Sequence, residues 1–289
     1  MDLSVVIINH NTRELTHQTV QAVLETTHRI QYEIIIVDNS TDPQQQYELS
    51  HEKVFILSGV ENKGFGNACN LGVQRSCGRY ILFLNSDTVV GERALDDSVA
   101  YLDAHSDTAV VGIRTLLEDG SLDHGCKRGF PTPMSALYYF LGMDKRHPES
   151  PKYGAYRQTF LDEHQTSEVD SVSGAFLMIS KSVFDQIGGF DEDYFMYGED
   201  LDLCYRVKML GYKVVYYADV SMTHFKGQSG LNTNPTVIYH FYNAMILFYD
   251  KHYKGKYNIL VTGLIHLAVK AKYALAVSQA KRRNKQADG

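Results

Sequence analysis

The stretch Leu3-Ser4-Val5-Val6-Ile7-Ile8 is almost wholly apolar and stops abruptly on Asn9-His10-Asn11. A short β-branched run of this kind reads as a strand buried on both faces, as in a parallel sheet. Two further runs repeat the pattern. Residues 33–37 end on Asp38-Asn39-Ser40, and residues 80–84 end on Asn85-Ser86-Asp87; residues 54–57 form a shorter fourth run. Between the first two, residues 13–26 place Leu15, Val20, Val23 and Leu24 at helical spacing. Residues 66–76 and 93–104 read as further helices that follow strands. This alternation predicts an α/β fold, a doubly wound and mostly parallel central sheet flanked by helices. Ligands of such sheets bind at the carboxyl ends of the strands, and all three ends here are polar.

Composition narrows the class. The chain has 289 residues, 44% of them hydrophobic and 21% charged, enough for a sizeable core and ordinary for a soluble protein. A net charge of −6 argues against general nucleic-acid binding, which requires a basic face. Twenty tyrosines without a single tryptophan suit half-polar surfaces for sugars or lipid headgroups. Cys69, Cys77, Cys126 and Cys204 form no CxxC pair, so neither a zinc knuckle nor a disulfide framework is indicated. The N-terminus shows no cleavable signal pattern, and cytoplasm is the expected compartment.

Residues 116–166 lose periodicity and read as a long, partly mobile segment of the sort that is often functional. Regularity returns at 169–180 as another strand-like run, then at 182–187 and at a last strand over 214–217. The tail, 237–280, is helical and aromatic, and is followed by Lys281-Arg282-Arg283-Asn284-Lys285.

Several constellations carry chemistry. Gly198-Glu199-Asp200-Leu201-Asp202 crowds three carboxylates beside Tyr194, Phe195 and Tyr197, and such crowding tends to raise a pKa. A helix starting near Gly198 would carry Glu199, Asp202 and Arg206 on one face, with Asp200 in its first turn. A carboxylate so placed can take a proton from a sugar hydroxyl; the plainer reading is an acidic helix start favoured by the macrodipole. Asp38 can accept the N3–H of a pyrimidine or cap the following turn. The glycine-rich Asn62-Lys63-Gly64-Phe65-Gly66 opens a helix, so its N–H groups could face an anion or simply ease a turn. Asp87 could hold Mg²⁺ or Mn²⁺ against a diphosphate or cap a loop. His224 is a further candidate metal ligand, although a lone histidine is more often a bystander.

Taken in order, these pieces resemble the family 2 glycosyltransferases of GT-A fold, especially bacterial rhamnosyltransferase-like members. The resemblance spans residues 1–230, leaving 231–289 as a helical, basic-ended extension. It rests on Val37-Asp38-Asn39-Ser40, Asn62-Lys63-Gly64, Leu84-Asn85-Ser86-Asp87, Ser173-Gly174-Ala175-Phe176, Gly188-Gly189-Phe190-Asp191-Glu192, the Glu199-Asp200 pair and His224. The resemblance implies that Asp38 reads the pyrimidine, with Asn62, Lys63 and Gly64 near the nucleotide. Asn9, Asn11, Asn85, Ser86 and Gly174 complete the expected donor-binding set. Asp87 matches the last acid of the DxD metal motif and Asn85 stands where its first acid would be. Asp200 matches the catalytic base with Glu199 beside it, and His224 a metal-ligand histidine. Tyr242-Asn243 stands where relatives often carry Arg-Asn.

The implied activity is inverting, Mn²⁺- or Mg²⁺-dependent transfer of a sugar, rhamnose first, from a dTDP- or UDP-sugar. The implied acceptor is a hydroxyl of a growing cell-surface glycan, free or lipid-linked. Two other readings compete. One is an NAD-dependent oxidoreductase with Gly64 and Gly66 at the pyrophosphate, against which stand Cys69 at the third glycine position and the distance from the first strand–helix turn. The other is a non-catalytic nucleotide-sugar or glycan-binding protein on the same fold. For the tail, Lys270 and Lys272 interrupt the apolar run, so an amphipathic helix on the membrane surface competes with packing on the catalytic domain or in a homodimer.

Overall fold

A computed structural model describes residues 1–225 and 233–287. Its centre is a nine-stranded sheet. Strand β1 (Leu3–Asn9) lies between β2 (Tyr32–Asp38) and β4 (Tyr80–Leu84), parallel to both, and β3 (Val54–Leu57) extends the parallel half beyond β2. Register sets the ends. Asn9 pairs with Asp38, and Ile7 pairs with Leu84, so the three polar strand ends share one edge. The connections are α1 (Arg13–Thr26) and α2 (Phe65–Val73). Residues of β1 alternate between two cores. Val5 and Ile7 pack with Val20 and Val23 of α1, whereas Val6 packs on the other face with Cys69 of α2. This two-sided burial is why the strand reads as continuously apolar.

Beyond β4 the sheet turns mixed. The run at 169–180 is two strands, β7 (Ser167–Val169) and β8 (Phe176–Ser180), and β8 is antiparallel to β4, with Leu84 opposite Phe176. The Ser173-Gly174-Ala175 loop therefore enters the sheet at the edge where β4 leaves it. Strands β5 (Thr88–Val90), β6 (Thr108–Leu116) and β9 (Lys213–His224) complete the sheet, with α3 (Ala94–Ala104) between β5 and β6. Strand β9 is longer than the 214–217 run. Its antiparallel pairing with β5 sets Thr88 opposite His224, which is what brings that histidine to Asp87.

The segment over 116–166 contains α4 (Pro133–Phe140) and α5 (Met143–Arg146). Helix α4 starts where Thr132 caps Ser135 N–H and proline occupies the first turn. The segment is tied back by backbone bonds, Arg128 N–H to Ser171 O and Gly129 N–H to Tyr156 O, each 2.8 Å. Helix α6 (Lys181–Gln186) leads to α7 (Glu199–Met209), which carries the acidic motif. The tail is two helices, α8 (Pro235–His252) and α9 (Ile259–Ala287). Phe248, Tyr249 and Tyr253 pack with Tyr194, Leu201 and Tyr205, fixing α8 on α7. The expected boundary at 230/231 and the Lys285 side chain lie outside the described residues.

Candidate active site

Helix α7 begins from a constrained turn. Tyr197 has φ +67° and Gly198 φ +82°, both left-handed. A Cβ on Gly198 would sit 3.2 Å from Ala244 Cβ and from the Tyr194 ring, so this position needs both glycine's freedom and its size. The turn aims Asp200 across the sheet edge. Its Oδ2 accepts from Arg128 Nη2 at 2.6 Å and from Gly174 N–H at 3.0 Å, and its Oδ1 accepts from Leu201 N–H at 2.7 Å. A carboxylate has about four acceptor positions, so one has no donor among the described residues. Burial opposes the charge on Arg128, but the Asp200 carboxylate overrides it and holds the guanidinium firmly protonated. Asn85 N–H donates to Ala175 O at 3.1 Å, joining the end of β4 to the same loop.

Glu199 differs from its neighbour. Its carboxyl is buried, its Oε2 has no hydrogen-bond partner among the described residues, and burial together with the Asp200 charge pushes its pKa up to about 8. Both causes favour the protonated form of Glu199. The two carboxyls are separated in role by environment.

A second cluster forms at the ends of β4 and β9. His224 Nε2 lies 3.2 Å from Asp87 Oδ1, and Nδ1 lies 3.2 Å from Asp123 Oδ2. Burial works against a charge on His224, but hydrogen bonds to Asp123 and Asp87 override it and raise its pKa to about 9. Two ligands bound side by side on an octahedral cation at about 2.1 Å lie about 3 Å apart. The Asp87–His224 spacing therefore suits a shared divalent cation, with Asp123 fixing the ring from behind. Among the described residues no group of three or more His, Cys, Asp or Glu is arranged around a single metal position. A diphosphate and water would supply further ligands.

The other expected residues fall into two sets. Asp38 accepts from the N–H groups of Ser40 and Tyr47, so it does cap the following turn. Asn9 is fully buried, donates to Gln45 O and Ser40 Oγ, and accepts from Thr16 Oγ1. Asn11 clamps the N–H groups of Thr41 and Asp42, and Ser86 Oγ meets Thr12 Oγ1 at 3.0 Å. These groups stiffen the strand ends. Asn62 Oδ1 accepts from Gly64 N–H at 3.2 Å, while Lys63 pairs with Glu61 on the exposed surface. Gly64, at φ +104°, packs so closely that a Cβ would lie 2.4 Å from Phe195 O, and Phe65 N–H donates to that same carbonyl at 2.9 Å. Gly66 faces Phe190 less tightly, a Cβ there lying 3.1 Å from Phe190 Cβ. The glycines thus serve close docking of α2 on the loop before α7, leaving the dinucleotide fingerprint without support. Asp123, Arg128 and Tyr156, which lies beside Arg128, are absent from the sequence-derived set. The only hint of them is the polar run Asp123-His124-Gly125-Cys126-Lys127-Arg128 inside an aperiodic segment.

Comparison with known proteins supplies the frame. The sequence model for glycosyl transferase family 2 matches residues 4–188, and one described as the N-terminal domain of galactosyltransferase matches 158–227. A low-salt glycan biosynthesis hexosyltransferase, Agl10 of Haloferax volcanii, is 26% identical over 72% of this chain, a stretch equal to 62% of the relative's length. The N-acetylglucosaminyl-diphospho-decaprenol L-rhamnosyltransferase of Mycobacterium tuberculosis is 29% identical, covering 76% of this chain and 75% of the relative. Rhamnosyltransferase WbbL of Escherichia coli is 30% identical, covering 67% and 73%. Among solved structures, GalNAc-T7 with UDP, GalNAc and Mn²⁺ superposes with a TM-score of 0.62 at 16% identity, over 86% of this chain and 48% of that one. TarS 1–349 in complex with UDP-GlcNAc gives 0.52 at 19% identity, over 86% and 65%. These likenesses place the fold among GT-A glycosyltransferases.

Proposed function

The chain belongs to glycosyl transferase family 2, and from that membership we propose that it moves a sugar from a nucleotide-diphosphate donor to a hydroxyl of a cell-surface glycan acceptor, with inversion. Rhamnose from dTDP is the first choice of donor, because two of the relatives are named as rhamnosyltransferases. Galactofuranose or another hexose from UDP is the alternative. A lipid-linked acceptor at the cytoplasmic face of the membrane is favoured, as one relative's name specifies a diphospho-decaprenol acceptor. Residues 1–230 are proposed as the transferase unit and 231–289 as its extension.

The observation that carries the reading is Asp200, held by Arg128, Gly174 and its own helix start, with the fourth of a carboxylate's roughly four lone-pair positions lacking a donor among the described residues. An acceptor hydroxyl donates to that lone pair, and its oxygen attacks the anomeric carbon. The carbon–oxygen bond to the nucleoside diphosphate breaks on the opposite face, and the proton passes to Asp200. One base and one in-line displacement invert the configuration. Asp87 and His224 would hold a divalent cation, Mn²⁺ or Mg²⁺, which when bound would neutralise charge growing on the leaving diphosphate. Asp38 is proposed to read the pyrimidine with the lone pairs its turn leaves free, and Asn62, Gly64 and Asn85 to line the donor. Fixed positioning accounts for most of the expected rate.

Thermal shift with UDP, dTDP and NAD, each with and without Mn²⁺, tests the reading, followed by product analysis. Metal-dependent stabilisation by a pyrimidine diphosphate and transfer abolished by EDTA are expected. Full transfer in excess chelator would remove the metal assignment, and nucleotide binding without any product would leave a binding protein. The NAD arm is expected to be silent.

A further inference from the structure

Helix α9 presents an apolar face to solvent. Its inner side packs on α8, with Tyr249 Oη 2.9 Å from Thr262 Oγ1 and His266 Nε2 3.0 Å from Asp250 Oδ1. Its outer side carries Ile259, Leu260, Leu264, Leu267 and Leu275, which are 62–85% exposed and recur near helical spacing with only Lys270 among them. Single exposed leucines are ordinary, but a continuous stripe marks a docking surface. By length and composition, residues 259–284 could cross a bilayer. Crossing would carry the Asp250–His266 contact and the α8 face into hydrocarbon, where unmatched polar groups are costly. A helix held on one side by a folded domain can instead lie in the interface.

Charge indicates what covers the stripe. Lys281, Arg282 and Arg283 are exposed at the end of α9 on a chain of net charge −6. A second edge repeats the combination: Met134, Leu137 and Leu141 of the α4 region are 47–58% exposed and are followed by exposed Lys145 and Arg146. The two edges meet where Lys272 Nζ lies 4.2 Å from the centre of the Phe140 ring. Helix α4 also reaches the active site, because Tyr139 packs on Tyr156 at 5.1 Å and Tyr156 lies beside Arg128, the partner of Asp200.

We propose that the outer face of α9 and the exposed edge of α4–α5 form one docking surface for an anionic lipid bilayer, with α9 lying in the plane of the interface. The basic residues meet lipid phosphates, the leucines enter the acyl boundary, and the Arg128–Asp200 pair, reached from α4 through Tyr139 and Tyr156, is held on the membrane side. The surface stands on its own geometry; its use in presenting a lipid-linked acceptor rests on the function proposed above.

Flotation of the full chain with vesicles of phosphatidylcholine, alone or mixed with phosphatidylglycerol, at low and high salt, tests the surface. The protein should float with the mixed vesicles, and less so with neutral ones or at high salt. Leu264→Asp with Leu267→Asp should lower binding by about tenfold or more. Lys281→Glu with Arg282→Glu should lower it by about fivefold per residue, and Leu137→Asp should lower it partially. All variants should keep the wild-type melting temperature and the shift given by UDP or dTDP, which separates loss of the surface from unfolding. Absence of flotation, wild-type binding by the Leu264/Leu267 variant, or a concentration-dependent dimer that this variant dissolves would each overturn the proposal. Undiminished binding by Leu137→Asp would overturn the inclusion of α4. Vesicle binding needs neither donor nor acceptor, so its failure leaves the transferase reading intact.

Discussion

As the proposed base, Asp200 would have to take up one proton while three hydrogen bonds hold it. Asp200→Asn should bind donor nucleotide but lose transfer by about 10²–10⁴-fold, the usual worth of a general base. It should also melt earlier than wild type, because Arg128 loses its counter-charge and breaking a buried pair costs about 3–5 kcal/mol; kinetics therefore belong well below that melting point. Near-normal turnover would pass the role to Glu199. Glu199 itself makes a pH prediction. Its folded pKa of about 8 lies above its ordinary value of 4.5, so the native state holds a proton that the unfolded chain releases. Stability should then fall as pH rises from about 4.5 to about 8. Glu199→Gln should flatten that slope and melt higher than wild type at pH 8, by about 2–4 °C per kcal/mol relieved; an unchanged slope in thermal scans would count against it. At the cation cluster, Asp87→Ala should weaken diphosphate binding more than nucleoside binding. Asp123→Asn should cost about 10–100-fold in Mn²⁺ affinity through the ring it orients, both read by titration calorimetry.

At the scale of elements, the left-handed launch of α7 is the most sensitive joint. Gly198→Ala meets a conformational cost of about 1–2 kcal/mol plus contact with Ala244 and Tyr194, and should lower both the denaturation midpoint and kcat. Gly188→Ala, with φ +79° and nothing within 4 Å, should pay only the conformational part and spare kcat. Strands β1, β2 and β4 were legible because burial on both faces writes an unbroken apolar run. Sequence marks only four of the twelve residues of β9, because its later part alternates, follows a register shift against β6 and pairs with the short edge strand β5. Helices α4 and α5 were not legible. Each is short, and α4 buries only Ser135, so no periodic stripe marks it. The break between α8 and α9 at residues 253–258 was missed because aromatic residues continue through it.

Across the whole molecule, the strand-end residues could be read because chain order and the parallel sheet place them on one edge. Arg128 and Asp123 could not be read this way. They come from a segment without periodicity, and only the packed structure brings them against Asp200 and His224, across 72 and 101 positions of sequence. Beside the aromatic cluster, a buried polar group joins α8 to α7: Asp202, almost fully buried, bonds to Arg206 Nε and His252 Nε2, each at 2.7 Å. Burial acts to raise its pKa, but His252 and Arg206 outweigh this and lower it. Its contribution is therefore present above the ordinary carboxylate range and is lost as pH falls through the folded value. Asp202→Asn should cost about 3–5 kcal/mol and expose the α8–α7 seam to limited proteolysis; an unchanged cleavage pattern would mean that the aromatic cluster alone holds α8.

The Phe195 carbonyl, seated on Gly64 and bonded to Phe65 N–H, has a kinetic consequence. A donor bound on the 62–65 loop as proposed would bear, through this carbonyl, on the loop from which the α7 turn departs, and so on the approach of the acceptor to Asp200. Turnover should accordingly follow a compulsory order, donor first. The nucleoside diphosphate product should compete with donor at every acceptor concentration and never compete with acceptor. Random-order inhibition patterns would show that the two loops move independently.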